Sequence, residues 1–187
     1  MWVNRPRTNG RERQPRGRCH PWGRRGGSAP GRILFQPYLQ GERTPHNDVA
    51  ARGAFIGLDA TSDSVDLARA VLEGVAYSLR LGQELLAPRA GDLSFIGLVG
   101  GGARSALWSE IVASILGRSL AIVEDADFVA ALGAARVSMI AMGAPLTDVA
   151  ALPRVARTVE PERRWAVAYS ERFARFRKAY AALRPLT

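Results

Sequence analysis

Three consecutive glycines between an apolar run and a helical pattern are the residues best suited to chemistry here: Phe95 to Trp108 reads FIGLVGGGARSALW. Glycine has no Cβ, so a flat ring or a ribose can lie directly against the backbone at Gly100, Gly101 and Gly102. The helix starting near Ser105 turns unpaired N–H groups and a positive dipole end toward an anion. A nucleotide meets both conditions, although the glycines taken alone favour a tight structural turn without a ligand. The spacing is neither G-x-G-x-x-G nor a P-loop, because no Lys follows the glycines. Arginine is the other candidate chemistry. Residues 1–32 hold nine Arg and one Glu, whereas the other 155 residues hold 17 basic and 16 acidic side chains. Nearly all of the formal +9 charge therefore sits in one segment. That segment is compatible with an arm for nucleic-acid phosphates, a targeting segment, or a non-native lead. Its Pro and Gly density argues against a transit helix, and the abrupt change of composition at Ile33 favours the lead. Cys19 alone excludes a disulfide framework, and with only His20 and His46 beside it no cysteine-built zinc cage forms. No metal site is assigned.

The elements that must position the glycines follow an α/β pattern in a chain of 187 residues, long enough for one domain or one plus a fragment. No apolar run reaches the length of a membrane span; the longest candidate, Asp127 to Leu146, is broken by Arg136. Residues 1–32 have few apolar positions and no period, which predicts a disordered arm. From 33 to 187 the pattern is ordered. Strands are expected at Ile33–Leu39, Ala54–Leu58, Leu93–Val99 and Ser119–Val123. Asp63 or Ser64 caps a helix over Val65–Ala87, whose apolar stripe is Ala68, Val71, Leu72, Val75, Leu79 and Leu86. Asp66, Arg69, Glu73, Arg80 and Glu84 line its polar face. Gly74 inside this helix costs about 1 kcal/mol against alanine, which implies a close packing contact. Ser105 caps a helix to Leu116, and another helix runs over Phe128–Met142. A Pro- and Gly-punctuated stretch leads to a last helix, Glu162–Leu183. Its stripe of Trp165, Tyr169, Phe173, Phe176, Tyr180 and Leu183 reads as core, with Arg172, Arg175, Arg177 and Lys178 on a solvated face.

Residues 53–73, GAFIGLDATSDSVDLARAVLE, match the second signature of the FGGY carbohydrate kinases: Gly53, Phe55, Gly57 and Leu58, then Asp66, Leu67, Ala70, Val71, Leu72 and Glu73. PYLQGERTPHND (Pro37 to Asp48) resembles the loop of the bacterial xylulose kinases in that family, with Val49 in place of an expected proline. GGGARSALW resembles the family's adenosine motif, and ALGAAR (Ala131 to Arg136) its following helix. The resemblance covers Ile33 to Leu183 in the family's order. It implies the C-terminal part of an RNase H-like domain of the actin/Hsp70/hexokinase superfamily, incomplete here. It also implies ATP and Mg²⁺ as cofactors and phosphorylation of the 5-hydroxyl of D-xylulose. Gly101 and Gly102 would touch the adenine-ribose face, beside Gly100, Ala103 and Ala106; the methyl of Ala106 stands where some relatives carry a polar side chain.

The family's N-terminal phosphate loop, catalytic aspartate and sugar-binding residues have no counterpart in this sequence, so no catalytic residue is assigned. Asp48, Asp59 and Asp66 are the carboxylates to weigh as a base; Asp59 fits a turn and Asp66 a first helical turn. Glu42, Arg43, His46 and Asp48 either order the cleft near the sugar and phosphates or form an ion-paired, hydrogen-bonded loop that packs two domains. The expectation is a cytoplasmic, ATP-binding portion of a sugar kinase, inactive alone, completed by a complementary chain or a homodimer. A non-catalytic nucleotide- or partner-binding module is the alternative, and a nucleic-acid role through the Arg-rich arm the least favoured.

Overall fold

The structure, a computed structural model, describes residues 30–90, 95–150 and 153–186. Of the segment expected to be disordered, residues 1–32, the first 29 lie outside the described residues, as does the start of the third strand, while Gly31 bonds Glu73 and Arg32 bonds Asp59 and Asp66.

Strand β1 (Leu34–Gln36) pairs antiparallel with β2 (Ala54–Ile56), Leu34 facing Ile56. The Phe35 and Phe55 rings lie 4.5 Å apart, a cross-strand aromatic pair of the kind that favours sheet pairing. Helix α1 (Ser64–Ala90) follows. Asp63 is its cap: the side-chain oxygen accepts the N–H groups of Val65 and Asp66, each at 2.9 Å. The close contact expected at Gly74 is present, because a Cβ there would stand 2.2 Å from the Phe35 carbonyl oxygen.

A second sheet has the order β3–β4–β5. Strand β3 (Gly97–Leu98) runs parallel to β4 (Leu120–Val123), and α2 (Ala106–Leu116) makes the crossover between them. Strand β5 (Val155–Val159) pairs antiparallel with the other edge of β4. Helix α3 (Val129–Ala141) follows one 3-10 turn after β4, and a short α4 (Leu146–Val149) leads toward β5. Helix α5 (Ala166–Leu183) closes the chain after a 3-10 turn at Arg163–Trp165. Strand β5 and helix α4 fall in the stretch read as a punctuated connection. VARTV buries only Val159, so it shows no alternation a half-buried strand would leave in the sequence.

The core forms where α2 meets α1, β1 and α5. Ile111, Val112 and Ile115 pack with Tyr77, Leu120, Tyr169, Phe173 and Phe176. The aromatic stripe of the last helix is therefore core, as its spacing requires. Arg172, expected on the solvated side, instead donates to the Ile33 carbonyl at 3.2 Å.

The buried face of α1 is a correction. Ala70, Glu73, Gly74, Tyr77 and Leu81 face inward, while Val71, Leu79 and Leu86 of the expected stripe are exposed. At about 100° per residue the two sets lie nearly opposite each other around the helix. Close approach to β1 selects glycine and alanine rather than bulk. Glu73 tolerates burial at 1% exposure because its charge is matched. Its carboxylate accepts Arg69 Nε at 2.8 Å, the Gly31 N–H at 2.9 Å and the Tyr169 hydroxyl at 3.3 Å. Arg32 bonds Asp59 at 2.8 Å and Asp66 at 3.0 Å.

Candidate functional site

The glycine turn leaves the C-terminal end of β3, and Asp125 follows the C-terminal end of the parallel neighbour β4. Open α/β sheets bind ligands beyond the carboxyl ends of such strands. Gly100 has φ 84°, a left-handed conformation, and its N–H donates to the Ala126 carbonyl at 2.8 Å. Gly101–Arg104 then make a 3-10 turn, held by Ala103 N–H to the Gly100 carbonyl at 3.0 Å. Ser105 caps α2 by accepting the Trp108 N–H at 3.2 Å. Gly101, Gly102 and Ala106 are exposed. A Cβ added to Gly100 would meet nothing within 4 Å, and one on Gly101 only the tip of Arg104 at 3.4 Å. The turn is therefore open at Gly100 and Gly101, whereas a Cβ on Gly102 would stand 2.9 Å from the Trp108 indole nitrogen.

Ala103 differs from its neighbours. Its methyl is buried in the core, and its carbonyl accepts Arg157 Nη2 at 3.2 Å. It positions the turn and offers a ligand no side chain. Beside it lies a cavity of about 390 Å³ lined by Arg104, Ile122, Asp125, Asp127, Phe128 and Arg157 among others. Arg104 and Asp127 stand 3.5 Å apart. Sequence reasoning missed Asp125, Asp127 and Arg157. The first two were signalled by following a parallel strand; Arg157 carried no local signal, because β5 was not expected.

The polar loop is built separately. The backbones of Glu42 and Asp48 exchange hydrogen bonds at 2.8 and 2.7 Å, pinching the loop shut. Glu42 Oε2 accepts the His46 N–H at 2.8 Å, and Asp48 accepts the Tyr180 hydroxyl at 2.8 Å and the Ala50 N–H at 2.9 Å. His46 stacks on Tyr180 with ring centroids 3.5 Å apart. Arg184 approaches Asp48 to 3.7 Å, while Arg43 points out and is exposed. The loop thus forms a hydrogen-bonded clamp on the end of α5.

Titration follows from this packing. The Tyr180 hydroxyl, then the Ala50 amide, holds the Asp48 carboxyl below the usual carboxylate range. Burial pushes the His46 imidazole below its ordinary value, against the opposing pull of Glu42 and Asp48. Burial raises the Tyr38 hydroxyl to about 12. Asp59 is held low by the Thr61 hydroxyl and amide.

The loop and the glycine turn line different cavities. Pro45, His46 and Tyr180 line one of about 520 Å³ between the loop, α1 and α5, apart from the cavity at Ala103. Among the described residues no three of His, Cys, Asp or Glu gather where a metal ion would fit. No described helix is long and apolar enough to cross a membrane.

Comparison with known proteins places these features in a family. The model of the FGGY family of carbohydrate kinases, C-terminal domain, matches residues 2–142. The xylulose kinase of Escherichia coli K12 is 39% identical over 156 residues, covering 82% of this chain and 32% of the relative. The solved xylulose kinase of Brucella ovis superposes with a TM-score of 0.75 at 42% identity, covering 85% of this chain and 33% of that one. That of Rhodospirillum rubrum gives 0.67 at 30% identity over 85% of this chain and 32% of its own. The chain spans about a third of the length of these relatives.

Proposed function

This chain belongs to the FGGY family of carbohydrate kinases and carries its C-terminal domain, and from that membership we propose that it supplies the ATP-binding face of a xylulose kinase-like enzyme. The reaction is ATP plus D-xylulose giving ADP plus D-xylulose 5-phosphate. The sugar's 5-hydroxyl oxygen bonds to the γ-phosphorus, the bond to the β–γ bridging oxygen breaks, and the hydroxyl proton passes to a carboxylate. The nucleotide assignment is supported by the turn at Gly100–Gly102, open at Gly100 and Gly101, beyond the carboxyl ends of two parallel strands and ahead of a helical amino end. The choice of sugar is supported by the PYLQGERTPHND loop and by the relatives named above.

ATP fits the residues present. Gly101 would hold the adenine and ribose against bare backbone, Gly102 would face them beside the Trp108 indole, Ala106 would add a methyl contact, and Ala103 would contribute only its main chain. A magnesium ion, when bound, would neutralise phosphate charge.

The three aspartates weighed as a base are engaged elsewhere. Asp48 serves Tyr180 and Ala50, Asp59 serves Thr61 and Arg32, and Asp66 serves Arg32. Asp48 and Asp59, held at low pKa, are also weak proton acceptors. We assign the base and the sugar-reading residues to polypeptide matching the part of the relatives that this chain does not span. The chain alone therefore binds nucleotide without transferring phosphate, and the cytoplasm, where ATP and sugar meet, is the setting that suits it.

Isothermal calorimetry with ATP and ADP tests the site. Saturable binding is expected, with loss of at least tenfold in affinity for Gly101→Val, whose side chain fits the fold but fills the cradle. Unchanged binding in that variant, or none in the parent chain, would refute the site. ADP release from Mg-ATP and D-xylulose by the chain alone would refute its inactivity.

A further inference from the structure

We propose that the cavity of about 520 Å³ between the polar loop, α1 and α5 is a binding site for a small uncharged ring compound that carries a hydroxyl group. This site is separate from the nucleotide cradle: its cavity shares no lining residue with the one beside Ala103.

Pro45, Leu81, Leu85, Phe176 and Ala181 give the cavity apolar walls. Tyr38 lines it too, 5% exposed, with its ring edge-on to Phe176 and Tyr180 at centroid distances of 6.5 and 6.1 Å. Small-molecule sites combine such apolar and aromatic walls with a few convergent polar groups, and a flat ligand packs best against rings. Two polar groups interrupt the lining. His46 Nε2 is buried and has no hydrogen-bond partner among the described residues. The buried Tyr38 hydroxyl lies near that of Ser78 without forming a well-directed hydrogen bond to it. The Tyr38 and His46 rings stand 6.0 Å apart, so both groups belong to one corner of the cavity. Buried polar groups are nearly always paired, and two unpaired ones on one cavity call for a partner that enters it.

The polar corner sets the chemistry of that partner. Burial keeps the Tyr38 phenol protonated, pushed up to about 12, and holds the His46 imidazole neutral by lowering it. Tyr38 therefore has a proton to donate, while a neutral imidazole nitrogen donates or accepts according to its tautomer. A hydroxyl does both, so it satisfies this corner in either tautomer. Charge is not asked for. At the exposed rim Glu84 and Arg177 approach to 3.7 Å and offset each other, with Arg80 a further 3.5 Å partner of Glu84. A free sugar suits the cavity poorly, because hydroxyls on every side would press against apolar walls and lose their hydrogen bonds to water. Ordered water suits only the corner, since the remaining walls offer it no polar partner.

The test titrates the full 187-residue chain, isotopically labelled for NMR, with p-cresol and with p-xylene, which has the same shape but no hydroxyl. Saturable binding of p-cresol is expected, moving the signals of Tyr38, His46, Leu81 and Phe176. Its affinity should exceed that of p-xylene at least tenfold, because the xylene leaves both polar groups unpaired. The His46 Nε2 resonance should shift with p-cresol alone. Ala181→Trp and Leu85→Trp, both at exposed positions on the cavity wall, should each weaken p-cresol at least tenfold by filling the space. No saturable binding, equal affinity for the two probes, or p-cresol affinity unchanged in both tryptophan variants would each overturn the proposal. So would shifts at Gly100–Gly102 in place of the cavity, or D-xylulose moving the same signals as tightly as p-cresol. The comparison of probes on the parent chain needs no substitution, so it decides the matter even where a variant fails to fold.

Discussion

Alanine in place of Gly74 should destabilise the protein, although the same change stabilises an ordinary exposed helix. The helical preference of alanine contributes about 1 kcal/mol in its favour. Against it stands the Phe35 carbonyl oxygen, 2.2 Å from the new Cβ, with the Phe35 Cβ at 3.1 Å. Ordinary contact begins near 3.4 Å, so α1 must withdraw from β1 by about an ångström along the most closely packed part of the helix. Overpacking of this kind costs roughly 1–3 kcal/mol. The Phe35 oxygen is backbone and cannot swing aside, so the cost sits at the upper end of that range and the net loss is about 2 kcal/mol, or about 4–8 °C in melting temperature for a chain of this size. Gly82 of the same helix is the control, because nothing lies within 4 Å of a Cβ there. Gly82→Ala should raise stability by about 0.5–1 kcal/mol. Circular dichroism melts and urea midpoints, recorded side by side, read both. If Gly74→Ala is as stable as the parent, α1 does not rest on β1 as described.

Glu73→Ala removes the acceptor shared by Arg69, Gly31 and Tyr169 within the core, and should lower stability by about 3–5 kcal/mol, read as a fall in the urea midpoint. His46 is depressed by burial, so below its ordinary value near 6.5 the unfolded chain binds a proton that the folded chain resists. Stability should therefore fall as pH drops from about 7.5 to 5.5, and a His46→Gln chain should show a flatter urea-midpoint profile over that window. The Asp48 carboxylate is depressed in the fold, so its stabilisation is present above the ordinary aspartate value near 4 and disappears in more acidic solution. Tyr180→Phe removes its largest cause, and carbon-detected NMR titration should find the Asp48 pKa raised toward that ordinary value.

Much of the site was legible because its determinants are local. A strand, three glycines and Ser105 specify a turn and a capped helix within fourteen residues, and the turn is open at Gly100 and Gly101, while the Trp108 indole lies against Gly102. The fold class follows similarly, and the likeness to solved sugar kinases agrees with the actin/hexokinase-like architecture. The cavity beside the turn was less legible. Arg157 reaches Ala103 from β5 across 54 residues, a pairing that no spacing rule anticipates. The His46–Tyr180 stack and the Asp48–Tyr180 bond join positions more than 130 residues apart, so the loop read only as a cluster of polar residues. Ala103 is the counterexample within the motif itself: alone among its neighbours it turns its methyl inward.

The outward stripe of α1 and the uncovered α3 share a physical origin. Hydrophobic periodicity in a sequence records every surface that is dry in the working molecule, whichever polypeptide covers it. Val71, Leu79 and Leu86 carry the spacing of a core-facing stripe and stand exposed, whereas the face that packs on β1 is built from Ala70, Gly74 and a paired Glu73. Bulk on one side and small residues on the other describe a helix with two neighbours, one of which is β1. The apolar pattern of α3 makes the same statement for a helix without a buried residue. The mismatch between periodicity and burial is thus positional information: it marks the apolar faces of α1 and α3 that the described fold leaves exposed. The glycine turn and α3 both adjoin the 3-10 turn at Ala126–Phe128, whose Ala126 carbonyl holds Gly100 and whose Phe128 begins the apolar strip of α3.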